Sequence, residues 1–182
     1  TIVLLSRDLD GNAHVDCLEG TTDPGAYYAH EHPNPLGAAH LTFGQHLYTK
    51  GLHRGRPALR AASEYNRIWR DKNGNFQPDV GEAITVGVYG INIHAGGRSD
   101  YVGRWSAGCI NIAGGQDGRP YQRFLQLVDT HSQDRPFIRV TVWRGVDLFR
   151  FAEHGWSHRP TLVPGIHNLW VAELQRLVAA AG

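Results

Sequence analysis

INIHAGGRSDYVGRWSAGCINI, residues 91–112, decides how the rest of the chain is read. Two short segments flank a glycine-rich loop, and each alternates isoleucine with a polar residue. In an extended chain Ile91 and Ile93 point one way and Asn92 and His94 the other. Ile110 and Ile112 oppose Cys109 and Asn111 in the same manner. If both segments are strands of one sheet, the isoleucines enter the core. Asn92, His94, Cys109 and Asn111 then gather on a single outer face. A thiol beside an imidazole is the minimum equipment for nucleophilic catalysis. The thiolate is the reactive species, and a neighbouring imidazole lowers a thiol pKa from ~8.5 toward neutrality. On spacing alone, the same two residues more often describe a small buried cysteine and a surface histidine.

The loop between the segments favours the chemical reading. Gly96, Gly97 and Gly103 allow tight turns, and Arg98 and Arg104 carry positive charge suited to carboxylates. Gly108 directly precedes the cysteine. The backbone N–H groups of Gly108 and Cys109 are therefore candidates for an oxyanion hole. Asn92, Arg98, Arg104, Ser106 and Asn111 are the candidate substrate-binding residues.

At these positions the chain resembles the L,D-transpeptidase catalytic domain of bacterial cell-wall enzymes. That family has an upstream histidine, a loop, then Ser/Thr-His-Gly-Cys, an apolar residue, and Asn or Arg. Here the pattern reads His94, loop, Ser106-Ala107-Gly108-Cys109-Ile110-Asn111. The resemblance implies Cys109 as nucleophile and His94 as general base, with a backbone carbonyl orienting the imidazole. It implies peptidoglycan stem peptides as substrate, the periplasm or cell envelope as the place of action, and no cofactor or metal. Two departures stand out: Ala107 replaces the histidine two before the cysteine, and the loop after His94 is short. The motif covers roughly 20 residues, with a looser likeness from about Gly37 to Trp143. An alanine at 107 removes a polar wall that would hold an amine acceptor, which favours hydrolysis over transfer.

The 182 residues suit one domain spanning 1–182, with ample chain for a full core. A net charge of +1 with 19% charged residues gives no bulk attraction to nucleic acid. No apolar run approaches the ~20 residues of a membrane helix. No signal-peptide pattern is present and, because the chain opens on Thr1, that says little about export. The two cysteines permit one disulfide, Cys17 to Cys109, which would consume the nucleophile. A free Cys109 leaves Cys17 expected as a buried small hydrophobe.

Residues 2–19 read as a hairpin around Asp10-Gly11. Thr21 to Gly44 reads as a long ordered loop. Its His30, Glu31, His32 and His40, with His46 just beyond, show no zinc-ligand spacing. Gln45 to Leu52 and Tyr65 to Arg70 read as strands, with Gly51 to Ala61 expected as a loop near the site. Two Asp-rich turns, around residues 8–19 and 71–82, have calcium-loop spacing. Ala13 and Phe76 stand where such a loop wants glycine, so both are assigned to turn chemistry, the second as an Asn73-Gly74 hairpin. Ile84 to His94 is expected as one strand. A helix beginning near Pro120 presents Tyr121, Phe124, Leu125 and Val128, followed by a strand over Phe137 to Trp143. A final helix over His167 to Ala181 is expected, with His154 and His158 as reserve partners for Cys109.

These elements describe a mostly β domain, a curved β-sandwich of mixed sheets with two peripheral helices. Two other readings stay open. One is a papain-like cell-wall amidase or endopeptidase using Cys17 with His40 or His46. The other is a murein-binding module without chemistry. A wall-remodelling enzyme, a phage lysin and a toxin with its immunity protein would all need the same site.

Overall fold

A computed structural model describes residues 2–7, 10, 12–62, 66–99, 101–132 and 135–144. The alternation at either end of the chain's first turn builds a hairpin. Strand β1 (Ile2–Arg7) pairs antiparallel with β2 (Ala13–Leu18), with Val3 opposite Cys17. Ile2 and Leu4 pack against the core, and Leu18 is buried. Val15 and Cys17 fall on the opposite, solvent side by the period of two. Cys17 is therefore exposed, which corrects the expectation of a buried residue.

The stretch expected as one long loop after Thr21 contains structure. Strand β3 (Gly20–Thr21), a single turn of π-helix (Tyr27–Glu31) and β4 (Ala38–Leu41) all lie within it or at its start. The stretch expected as a loop from Gly51 is half of a hairpin. Strand β5 (Gly44–His53) turns through Arg54-Gly55 into β6 (Arg56–Ala61). Both turn residues have positive φ, 52° and 78°, the two-residue turn whose twist matches paired strands. Arginine at the first position conceals that signal.

Strand β7 (Asn66–Asp71) pairs with β4 on one side and with β8 (Ile84–Gly87) on the other, making a three-stranded sheet. The expected strand over 84–94 is two: β8 ends at Gly87 and β9 (Ile93–Ala95) joins a different sheet. Residues 72–83 form a long closed connection, not a tight hairpin. Asp71 accepts the N–H groups of Gly74 and Phe76, Glu82 those of Lys72 and Asp79, and Asp79 takes the amides of Asn73 and Asn75. Phe76 adopts φ 60°, the backbone expected to require glycine.

With β11 (Ile138–Val142) and β10 (Ile110–Ile112), the six-stranded sheet runs β11-β5-β6-β9-β10-β3, β10 parallel to β9 and the other neighbours antiparallel. It is mixed and curls into a half-barrel. Helix α1 (Arg119–His131) begins after Gly118 with proline in its first turn and buries Tyr121, Phe124, Leu127 and Val128. Leu125, one helical turn after Tyr121, packs half-buried against the core as expected, and Leu127 is buried beside it. The helix packs on a core shared with Tyr48, Leu59, Ile93, Ile110 and Ile112. Arg123 ties it to Asp16 at 2.9 Å, and the Tyr121 hydroxyl donates to the Pro57 carbonyl. The expected final helix, His154 and His158 lie outside the described residues.

Candidate active site

The 91–112 stretch becomes two parallel strands in register, Ile110 opposite Ile93, Asn111 opposite His94 and Ile112 opposite Ala95. Paired residues share a face, so the isoleucines enter the core while His94 and Asn111 stand side by side beneath the other surface. The ladder extends one residue back, where Ile110 N–H donates to the Asn92 carbonyl at 2.9 Å. Parallel neighbours need a crossover from the end of one strand to the start of the next. The chain between Ala95 and Ile110 supplies it. The polar face is covered rather than open: Asn92, His94 and Asn111 are 9%, 8% and 2% exposed, with the β5–β6 hairpin lying against Asn92 and His94.

Local chemistry fixes the crossover's last turn. Gly108 has φ 137°, and a Cβ there would stand 2.6 Å from the Ala39 carbonyl oxygen. Only glycine fits this approach of backbone to backbone. Ser106, buried, donates its hydroxyl to the Cys109 carbonyl at 2.8 Å and accepts the Gly108 N–H at 3.2 Å. Its carbonyl accepts the N–H of Gly25. Ser106 thus holds the turn that presents the cysteine. The Gly108 N–H is engaged by that hydroxyl, while the Cys109 N–H has no hydrogen-bond partner among the described residues.

Cys109 is free and half-buried. Its Sγ receives the Asn92 N–H at 3.4 Å and donates toward the Gly90 carbonyl at the same distance, the pattern of a protonated thiol. Burial pushes the thiol pKa up, against smaller downward pulls from the Asn92 N–H and the Arg54 charge. His94 Nδ1 lies 2.7 Å from the Ala95 carbonyl oxygen. A carbonyl only accepts, so Nδ1 carries the proton and Nε2 presents a lone pair. Nε2 is buried with no partner. Burial holds the His94 pKa below the ordinary histidine value, with the neighbouring His53 and Arg54 adding to the drop and the Ala95 carbonyl opposing it. The resting pair is therefore neutral, and no hydrogen bond joins Cys109 to His94.

A residue that the sequence reading passed over completes the cluster. His53, at the end of β5, stacks on His94 with centroids 4.4 Å apart and planes within 3°. Its Nδ1 accepts the Asn92 side-chain amide at 2.9 Å, and Asn92 Oδ1 in turn accepts the Ala61 N–H at 3.3 Å. Asn92 thus links the thiol, through its own N–H, to the paired imidazoles. Its place beside a two-residue turn was the one local cue, and no spacing rule leads from there to His94.

The other candidates scatter. Arg98 is exposed and pairs with Asp117 at 3.4 Å. Arg104 is exposed with its guanidinium 4.4 Å above the Tyr27 ring. Neither makes a contact with Cys109 or His94. Asn111 donates its amide to the Cys109 carbonyl at 2.7 Å, leaving Oδ1 unpartnered. Ala107 is exposed. Cys17 has no histidine partner among the described residues. His40 stacks on Trp69 between Asp23 and Asp71, and His46 lies 2.8 Å from the Thr42 carbonyl oxygen. Among the described residues no group of three His, Cys, Asp or Glu side chains converges as a metal site, and no helix is long and apolar enough to cross a membrane.

Searches for a matching family model, a similar curated protein and a similar solved structure find no match.

Proposed function

We propose that this chain is a cysteine acyl-transfer enzyme with an L,D-transpeptidase-like curved sandwich, acting on the stem peptides of peptidoglycan in the periplasm or cell envelope. The observation that carries it is the in-register β9–β10 pair. It sets the base row, Asn92 and His94, beside the nucleophile row, Cys109 and Asn111. It also coincides with the Ser-x-Gly-Cys-x-Asn motif. The Cys109 sulfur attacks the amide carbonyl between the diamino acid at position three and the terminal D-alanine. His94 Nε2 takes the thiol proton as the C–S bond forms, then returns it to the leaving amine as the C–N bond breaks. The Cys109 N–H is the donor placed to meet the oxyanion. Water or an amine then opens the thioester.

Incubating disaccharide-tetrapeptide with the protein and weighing the products tests this directly. Loss of D-alanine marks the carboxypeptidase reaction, dimers mark cross-linking, and incorporation of an added D-amino acid marks exchange. Hydrolysis is the expected main outcome in water, because exposed Ala107 offers an acceptor no polar wall. Ala107→His should raise the ratio of transfer to hydrolysis. A protein that leaves tetrapeptide intact and still binds sacculi would be a murein-binding module. The neutral, unbonded Cys109 and His94 favour that second reading, and the same incubation separates the two.

A further inference from the structure

The stack of His53 on His94 joins two elements distant in the chain, the β5–β6 hairpin and β9. Hydrogen bonds fix which way each ring faces. The Ala61 N–H donates to Asn92 Oδ1 at 3.3 Å, so the Asn92 amide is oriented with Nδ2 left to donate. Nδ2 lies 2.9 Å from His53 Nδ1, which is therefore an acceptor. The proton of a neutral His53 consequently sits on Nε2. His94 carries its own on Nδ1, against the Ala95 carbonyl 2.7 Å away. The two stacked rings are opposite tautomers, each traced to a backbone group that cannot exchange roles.

The consequence falls on His94. With centroids 4.4 Å apart and planes within 3°, the His53 ring lies flat over one face of the His94 ring. His53 is half-buried and His94 only 8% exposed, so the more exposed imidazole covers the less exposed one. Asn92 anchors this cover through its side chain, and its own N–H meets the Cys109 sulfur at 3.4 Å. We infer that His53 is a positioning residue: pinned by Asn92, its ring holds the His94 imidazole in place and shields one face from water, keeping Nε2 an unprotonated lone pair. His53 acts through His94 and not on a reacting atom. Burial is the largest cause of the lowered His94 pKa. The Ala95 carbonyl opposes it, and the charged groups that add to it, His53 and Arg54, both come from the same hairpin. The catalytic consequence rests on the reaction proposed for Cys109 and His94, whereas the placement itself is read without substrate.

The test is heteronuclear NMR of the histidine rings in the full chain. In the parent at neutral pH, His53 should carry its proton on Nε2 and His94 on Nδ1. Two variants then separate the ring from its anchor. His53→Asn keeps an acceptor for Asn92 and removes the stacked ring, and His53→Phe keeps a flat ring and gives up the Asn92 bond. On acid titration, His53→Asn should bring the His94 pKa up toward the ordinary ~6.5, because water regains the uncovered face. His53→Phe should leave it low. With disaccharide-tetrapeptide, His53→Asn should lower kcat by about ten- to hundredfold with KM little changed, and its acid limb should move up with His94. His53→Phe should recover most of the rate, and melting curves confirm that both variants fold. Reversed tautomers in the parent, a His94 pKa that His53→Asn leaves unmoved, or one that rises equally in both variants, overturns the proposal. A parent that leaves tetrapeptide intact overturns the acyl-transfer reading instead, and the titration still decides what His53 does to His94.

Discussion

At the residue scale, the proposed chemistry turns on two groups that burial keeps uncharged. The Cys109 thiol lies above its ordinary value and His94 below its own. Catalysis in such a pair runs by general-base transfer during attack, not from a standing thiolate. The pH profile follows from the signs. His94 is unprotonated, and so competent, down to a pH below the usual ~6.5 of histidine. The acid limb of kcat/KM should fall below that value, while alkylation by a thiol reagent should stay slow until well above neutrality. An alkylation rate already maximal at neutral pH would mean a standing thiolate and sink this description. Cys109→Ser should abolish turnover of tetrapeptide with little change in stability, and His94→Ala should lose at least ~10²-fold. Gly108→Ala is a structural counterpart. Its φ of 137° and the 2.6 Å approach to the Ala39 carbonyl involve backbone that cannot swing aside. We expect a loss of about 1–3 kcal/mol by chemical denaturation. A variant as stable as the parent would contradict the backbone contact.

The element with most leverage on the site is the β5–β6 hairpin, because its end carries His53 onto His94. Arg54 occupies a left-handed turn position at φ 52°, a strained choice for a residue with a Cβ. Its charge also lowers the pKa values of Cys109, His53 and His94. Arg54→Asn should therefore stabilise the chain by about 0.5–1 kcal/mol through the turn, while raising the thiol pKa and slowing its alkylation at a fixed pH. Unchanged alkylation would show that Arg54 has no electrical role. This hairpin also marks the limit of what the sequence discloses. The isoleucine alternation at 91–93 and 110–112 is a local signal, and it made the paired strands and the polar row readable. The parallel sense of β9 and β10 is not local. The same segments fit a hairpin, and only the sheet order dictates a crossover, with the β5–β6 hairpin brought against Asn92 and His94. His53 reaches His94 across intervening β6, a contact that no spacing rule encodes. Cys17 was misread because the proposed role of Cys109 set its expectation, not the alternation of β2.

For the whole molecule, the same burial that tunes the site makes the fold sensitive to acid. His40, His46, His53 and His94 all have pKa values below the ordinary one, burial being the largest cause at each. For His40 the nearby Asp23, Asp71 and Glu82 pull the other way without overcoming it. The unfolded chain regains ordinary histidines, so between the folded values and ~6.5 it binds more protons than the folded protein. Stability then rises with pH through that window. It is fully present above ~6.5 and is lost as pH falls toward the folded values. The interval from about 6.5 to 5 is where this histidine signature is read. We expect Tm to fall steadily across that interval, with a slope reporting uptake of more than one proton on unfolding. His46→Gln, whose amide can still donate to the Thr42 carbonyl, should reduce the slope by that residue's share without unfolding the protein at neutral pH. A flat Tm from pH 6.5 to 5 would mean that these histidines are as readily protonated in the fold as in the open chain, and that the burial assigned to His94 does not keep its lone pair free.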